Sequence, residues 1–510
     1  MAFMNDEQRA FTRSIAKLAM CNHFGNDRFD FVKEALGDDC INTGERWSWG
    51  PGSSEDDNQE LLCERSEATA EALRARLKDG ERPGPDEARA YIELVWWVMY
   101  HRSRDELRTH IEAQSSSTEP VDCRERYQEF RRLYDYYLDL DAIGPGLEMP
   151  AEHLFALFFQ LRRAFYYIFY YMIGGSRPAG ELRATVWESI FTHDRYRYLN
   201  VLYDRMGNLP TFITGETGTG KELIARAITF SRYIPYNRRQ GTFVESYTSA
   251  FHALNLSALT PTLIESELFG HRRGAFTGAI EDRTGYLEDC SRLGTVFLDE
   301  IGELAPEIQV KLLRVLQDRS FNRLGDTKAR QFQGKIIAAT NRDMSTEMEA
   351  GRFREDLFYR LCADRIHVPS LREQLADAPS ELENIILYIA RQETNDAEAP
   401  RLVDQTASYI RRELGIDYPW PGNFRELGQC VRNVMIRNSY RPTRRSSSGA
   451  RDNLERAARE GHLKMSELLR HYCSLVHAQT DNYQETARRL EVDHRTAKRH
   501  IDDGLLGGFR

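Results

Sequence analysis

Two short stretches hold the residue types that phosphate chemistry needs. The first is Gly215-Glu216-Thr217-Gly218-Thr219-Gly220-Lys221-Glu222. Its glycines let backbone N–H groups curl around phosphate oxygens, and Lys221 supplies a cation for the terminal phosphates. The apolar Thr211-Phe212-Ile213 before it reads as a strand, and Leu223 to Ile228 after it as a helix whose N-terminus adds partial positive charge. A Gly-rich turn can match this pattern by chance, but the flanking strand and helix favour nucleotide binding. The second stretch is Thr295-Val296-Phe297-Leu298-Asp299-Glu300. An apolar run ending in two acids reads as a buried parallel strand that delivers carboxylates at its carboxyl edge, where open α/β sheets bind ligands. Asp299 is then the magnesium ligand, and Glu300 orients or activates the attacking water. Such loops usually end in Ser or Thr, whose hydroxyl binds the metal. Glu222 stands there instead, which leaves the metal mainly to other carboxylates and water.

Between the two lies Gly274-Ala275-Phe276-Thr277-Gly278-Ala279. Its glycines make it a poor helix and a poor strand. Small residues around one Phe and one Thr suit a mobile loop that offers an aromatic tip to a partner.

Together these stretches resemble the central domain of the sigma-54-dependent transcription activators, the bacterial enhancer-binding branch of the AAA+ ATPases. The phosphate loop has that family's form, Glu222 included. Glu265-Ser266-Glu267-Leu268-Phe269-Gly270-His271 precedes the hexapeptide as it does there. Ala339-Thr340-Asn341-Arg342-Asp343, Phe353-Arg354-Glu355-Asp356-Leu357-Phe358-Tyr359-Arg360-Leu361 and Trp420-Pro421-Gly422-Asn423-Phe424-Arg425-Glu426-Leu427 follow in family order, over roughly residues 172–440.

The resemblance implies a multidomain protein. Its centre is an α/β AAA+ P-loop ATPase core at 172–369, a parallel sheet with helices on both faces, followed by a helical lid at 370–440. It implies Thr340 and Asn341 as a first sensor and Arg425 as a second. Arg354 and Arg360 become arginine fingers that act across a subunit boundary, and Asn255 becomes the switch partner of Glu300. ATP and Mg2+ are the implied cofactors. The implied assembly is a homo-oligomeric, hexameric ring. Residues 274–279 are the implied contact to sigma-54 RNA polymerase, with upstream enhancer DNA as the second partner. Two other functions compete: an AAA+ remodeller of another protein, and a DNA-binding repressor whose ATPase fold only assembles the ring. The intact hexapeptide disfavours the first; Lys221, Asp299, Glu300 and both finger arginines disfavour the second. Thr229 to Ala250 is longer than usual in the family and reads as a surface excursion, since loops tolerate insertion cheaply. Phe191 to Pro210 also looks extended.

The chain carries a formal charge of −9, unevenly spread. Residues 441–510 hold 14 Lys/Arg against 10 Asp/Glu, a basic end on an acidic protein. There, Leu463 to Val476 and Asn482 to Leu490 have helical spacing, Glu491-Val492-Asp493 is a turn, and Asp493 is a good N-cap for His494 to Ile501. This resembles the Fis-type helix-turn-helix that ends many family members. In such a unit His494, Arg495 and Lys498 would reach base edges, while Arg489 and Arg499 would touch phosphate. It is assigned to 463–510, after a linker at 441–462 that includes Arg444-Arg445-Ser446-Ser447-Ser448-Gly449.

Residues 1–171 show helix-like segments at Tyr91–Tyr100, Tyr127–Leu140 and from Ala151 onward, separated by polar breaks such as Gly52-Ser53-Ser54. No receiver pattern is present, so a mostly helical regulatory domain is expected, with no legible signal. Trp96, Trp97 and the pairs Tyr166-Tyr167 and Tyr170-Tyr171 are expected to pack rather than to form a ligand cage.

With 510 residues, 41% of them hydrophobic, the chain is long enough for several cores. The apolar Leu154 to Gly174 is broken by Gln160, Arg162 and Arg163, and mean hydropathy is −0.58, so no membrane segment is expected. No signal peptide is visible, and eight scattered cysteines without a Cys-x-x-Cys pair fit reduced thiols in a cytoplasmic protein.

Overall fold

The computed structural model describes residues 3–41, 55–139, 149–415, 417–442, 464–480 and 482–502. The chain forms two compact units, residues 1–436 and 437–510.

The first unit is built on a five-stranded parallel sheet: β1 (Thr211–Thr214), β2 (Phe251–Asn255), β3 (Thr295–Asp299), β4 (Lys335–Thr340) and β5 (Asp364–His367). The spatial order is β2-β3-β4-β1-β5, with Thr211 level with Ile337 and Asp364, and Thr295 level with Lys335. This is the α/β AAA+ architecture. Because β4 lies between β1 and β3, the residue that follows β4 must fall between the phosphate loop and the acid pair.

Side chains alternate across the sheet and are buried on both faces, as parallel strands require. Phe212, Val296, Leu298, Ile336 and Ala338 pack with residues of helices 261–269, 306–318 and 355–361. Ile213, Phe297, Ile337 and Ala339 face the other way, into a cluster that includes Ile224 and Ile228 of the phosphate-loop helix, Lys221–Phe230.

Residues before the sheet form α1 (Asp6–Met20), α2 (Asp27–Leu36), α3 (Glu55–Lys78), α4 (Pro85–Ser115), α5 (Arg124–Leu138), α6 (Ala151–Tyr171) and α7 (Arg177–Phe191). The start of α1 is fixed by a capping box, Asn5 to Gln8 and back. The buried cluster on the second sheet face runs without a break into α1, α4 and α6. A boundary at 171/172, where the family resemblance starts, therefore crosses a continuous core. The fully buried Arg163 of α6 donates through Nη1 to Phe230 O and through Nη2 to Arg232 O, both at 2.6 Å, and Gln160 Nε2 donates to Ser231 O at 2.9 Å. These bonds satisfy carbonyls at the carboxyl end of the phosphate-loop helix, where a cation also suits the helix dipole.

Residues 229–250 are not the surface excursion expected from the sequence. Tyr233, Ile234, Tyr236, Phe243 and Tyr247 are buried. Tyr247 Oη donates to Ile111 O at 3.0 Å, and Gln114 Nε2 to Ser246 Oγ at 2.9 Å, both from α4. The reason is compositional: these extra residues are rich in aromatics, and they continue the apolar face of α4 and α6.

The segment assigned to a lid contains helices Leu371–Asp377, Glu381–Glu393, Ala399–Tyr409 and Asn423–Arg437, the first opened by a Ser370–Glu373 capping box. Among the described residues no helix is long and apolar enough to cross a membrane, and all eight cysteines are free thiols.

The second unit contains helices Met465–Thr480, Tyr483–Arg489 and His494–His500. Asn482 caps the second, and Asp493 caps the third through the N–H groups of Arg495 and Thr496. Small buried Ala487 and Ala497 let these helices approach closely. Apart from Arg441 and Pro442, the linker assigned to 441–462 lies outside the described residues, as do Gly52-Ser53-Ser54, Leu140 and Leu463.

Candidate nucleotide site and partner loop

After β1 the chain turns through Gly215 to Gly220. Gly218 and Gly220 have φ of 83° and 93°, a region that L side chains avoid. A Cβ on Gly218 would lie 2.3 Å from Gly422 O, so only glycine lets the chain at Gly422 approach the loop this closely. Lys221 is buried, and its Nζ donates to Gly215 O at 2.9 Å and Glu216 O at 3.2 Å. Burial holds its pKa below the usual lysine range, while Glu300 and Asp299 pull it up. Asp299 is shifted the opposite way: burial and then the charge of Glu300 raise it, against Lys221.

Glu300 takes the left-handed conformation, φ 56° and ψ 51°, uncommon for a non-glycine residue and concentrated at functional sites. The turn lets its own N–H donate to Asp299 Oδ1 at 3.1 Å. Asn341, just past β4, donates from its main chain to Glu300 Oε2 at 3.2 Å and from Nδ2 to Thr217 Oγ1 at 2.7 Å. The strand order is realised here as a bridge between phosphate loop and acid pair. Thr340 is buried, and its Oγ1 accepts from the N–H of Arg342 at 3.1 Å. Asn255 is not bonded to Glu300. It lies level with Asp299, one residue short, and its Oδ1 accepts from Ser257 N at 3.0 Å and Ser257 Oγ at 2.7 Å. Its side chain closes a local turn rather than holding the Glu300 carboxylate.

The hexapeptide forms a tight projecting loop. Gly274 N donates to Ala279 O at 2.9 Å, and Ala279 N to Phe276 O at 3.0 Å. Gly274 and Gly278 have positive φ and open space around them. Thr277 is exposed, and half-buried Phe276 leans edge-on against His271, ring centroids 5.0 Å apart. Beneath it, Arg272, Arg323 and Arg330 interlock with Asp282, Glu288 and Asp326.

Residues 189–367 match the family described as Sigma-54 interaction domain. This segment is similar to sigma-54 interaction domains. The Nif-specific regulatory protein of Azotobacter vinelandii is 45% identical over 45% of this chain and 40% of its own. The DNA-binding transcriptional regulator NtrC of Azospirillum brasilense is 43% identical over 46% of this chain and 44% of its own. The chain thus spans less than half the length of these curated relatives. The solved structure of NtrX from Brucella abortus aligns over 71% of this chain and 76% of its own, at 26% identity and a TM-score of 0.38.

Segment 189–367 is clamped to the helices that follow it by residues that sequence reasoning missed. Asn423, fully buried at φ 52°, donates from Nδ2 to Glu216 Oε2 and Thr217 O, both at 3.1 Å, and accepts from Leu371 N at 2.8 Å. Arg372 pairs with the other oxygen of Glu216 at 3.0 Å. The signal for Asn423 was present: an Asn directly after Pro-Gly suits a left-handed helix entry. Arg425 begins the same helix, its Cβ 3.2 Å from where a Cβ on Gly218 would sit. Glu222, the unusual loop end, is engaged by Arg226 one turn on, at 2.7 Å.

The two finger candidates, Arg354 and Arg360, differ. Arg354 stands at the N-cap position of helix 355–361 and holds Asp356 in a bidentate pair at 2.7 and 3.0 Å. Arg360 is exposed at the end of that helix, with no carboxylate in ion-pair range among the described residues. In the second unit, Arg489, His494, Arg495, Lys498 and Arg499 are all exposed. Arg489 is drawn to Glu485, and Lys498 stands 5.8 Å over the Tyr483 ring.

Proposed function

We propose that this chain is a sigma-54-dependent transcription activator. It binds upstream DNA and uses ATP hydrolysis to remodel the closed complex of sigma-54 RNA polymerase. The observation that carries the reading is the Asn341 bridge. One residue touches the phosphate loop at Thr217 and the acid pair at Glu300, so the state of the phosphates is felt where water is activated.

The loop N–H groups and Lys221 bind the β- and γ-phosphates of ATP, and Glu300 orients and deprotonates the attacking water. The residues present fit Mg2+. Two adjacent carboxylates, one raised by burial and then by the other's charge, are stabilised by a cation. No cluster of three or more His, Cys, Asp or Glu gathers among the described residues, so Asp299 would hold the ion together with phosphate oxygens and water. When bound, that ion neutralises charge on the phosphates. Arg425 and Asn423 report the nucleotide to the lid. Arg360 reaches the neighbouring subunit's phosphates in a homo-oligomeric ring, in which Arg354 needs release from Asp356 to join it. The loop bearing Phe276 and Thr277 engages sigma-54, and the exposed Ile280 beside it, 83% accessible, adds apolar surface to that contact. Helix 494–500 enters the major groove of the upstream DNA, its N-terminal residues at base edges.

The test is open-complex formation on a sigma-54 promoter with the full chain and either ATP or a non-hydrolysable analogue. The proposal requires open complexes with ATP alone; equal activity with the analogue, or none with either, refutes it.

A further inference from the structure

A second chemical environment lies away from the nucleotide site, among the N-terminal helices. A cavity of about 620 Å3 opens between α1, α4 and α6, within the range of small-molecule pockets. Its apolar wall is aromatic, led by Trp96, Trp97, Phe158 and Phe165. Trp96 and Trp97, expected to pack, line this cavity. The exposed Arg104, Arg108 and Tyr170 among the lining residues bring it to solvent.

The polar part is cationic: five arginines against one aspartate, Asp105. Arg195 is 7% exposed, and it donates to Ala19 O and stands 3.4 Å from His23 Nε2. Neither Arg195 nor the half-buried Arg162 has a carboxylate in ion-pair range among the described residues. Four lining nitrogens are buried without a hydrogen-bond partner: Arg162 Nε, Arg195 Nε, His101 Nδ1 and Trp97 Nε1. Buried donors are normally satisfied, so four around one cavity call for an acceptor. The local field agrees. His101 is pushed down to about 3 by burial first and then by Arg104, Arg162 and Arg28.

We infer that this cavity is an effector site for a small aromatic molecule carrying a carboxylate, the ring seated among the tryptophans and phenylalanines and the carboxylate on Arg162 and Arg195. Position gives the occupant influence. On α6, Phe158, Leu161 and Arg162 line the cavity, while Gln160 and Arg163 hold the end of the phosphate-loop helix. At the rim, Tyr388 of the lid donates to Tyr170 O at 2.8 Å. The site does not depend on the ATPase reading, so it is tested by binding without nucleotide.

The probes are 2-naphthoate and its neutral counterpart 2-naphthamide, titrated into the full chain by calorimetry and by tryptophan fluorescence. The expected result is naphthoate binding at least tenfold tighter than naphthamide, with quenching of tryptophan emission. Arg162→Gln and Arg195→Gln should each weaken naphthoate about tenfold or more and leave naphthamide unchanged. Arg195 is buried, so thermal unfolding accompanies its variant, and half-buried Arg162 carries the test if Arg195→Gln does not fold. Equal affinity for both probes, binding of neither, or undiminished naphthoate binding in every variant that folds would overturn the assignment.

Discussion

The main-chain N–H of Asn341 donates to Glu300 Oε2 at 3.2 Å. A hydrogen bond from a fixed sheet edge sets where the carboxylate points, while the Asn341 side chain reads Thr217 of the phosphate loop. Glu300 itself is held in a left-handed conformation, so neither its backbone nor its side chain is free to drift.

Glu300→Gln should therefore keep ATP affinity and lose turnover by about 10²–10⁴-fold, the usual worth of a general base. Lys221→Ala should instead lose ATP binding. Calorimetry with ATP beside a phosphate-release assay separates the two, and near-normal turnover in Glu300→Gln would remove that residue from the reaction.

Much of this site was legible because each motif is contiguous. A loop and the helix after it, or a strand and its terminal acids, are fixed by local sequence. Partnerships across the fold were not legible. Glu300 meets Asn341 rather than Asn255 because of strand order and register, which no local pattern states. The aromatic residues 233–247 read as a loop until the apolar faces of α4 and α6 are known to need covering. The cavity beside Trp96 was hidden for the same reason, since a tryptophan that packs and one that lines a pocket look alike in a sequence.

The lid clamp gives a second prediction. Asn423→Gly preserves the left-handed backbone but removes the bonds to Glu216, Thr217 and Leu371. Losing buried hydrogen bonds costs about 1–3 kcal/mol. ATP affinity measured by calorimetry should fall roughly tenfold, with the Glu300 chemistry otherwise intact. Unchanged affinity would mean that the lid does not report on the loop.

The proposed trans role of the finger arginines predicts that activity depends on assembly. Arg360→Ala should lower turnover about 10³-fold or more without weakening ATP binding by the same subunit. Mixing it with Glu300→Gln should restore part of the phosphate release at mixed interfaces. Full activity from a strictly monomeric preparation, measured by light scattering alongside the assay, would contradict a trans role.

Asp299 gives a pH signature. Its carboxyl is held above the ordinary value of 3.8 by burial and by Glu300. An acid whose folded pKa is raised lowers stability fully once pH exceeds that folded value; the cost shrinks as pH falls between that value and 3.8 and is gone below it, where the group is protonated in both states. Asp299→Asn should raise the thermal midpoint of the nucleotide-free protein at about pH 8, with the gain shrinking in acid, while abolishing metal-dependent ATP turnover. A midpoint lowered at alkaline pH would show that the carboxylate is stabilised in the fold and reverse its assigned electrostatics.

The central claim is that ATP chemistry is delivered to sigma-54 through the projecting loop, and Thr277 tests it most directly. Thr277 is exposed at the loop tip beside Phe276, whose burial on a partner is worth about 1.5–3 kcal/mol. The measurement is co-migration of the chain with sigma-54 in ADP plus aluminium fluoride, comparing the parent with Thr277→Ala and Phe276→Ala. Both variants should hydrolyse ATP and bind DNA like the parent yet fail to retain sigma-54. If both retain it as the parent does and still open the promoter, the loop is only a turn, and the chain acts through another surface.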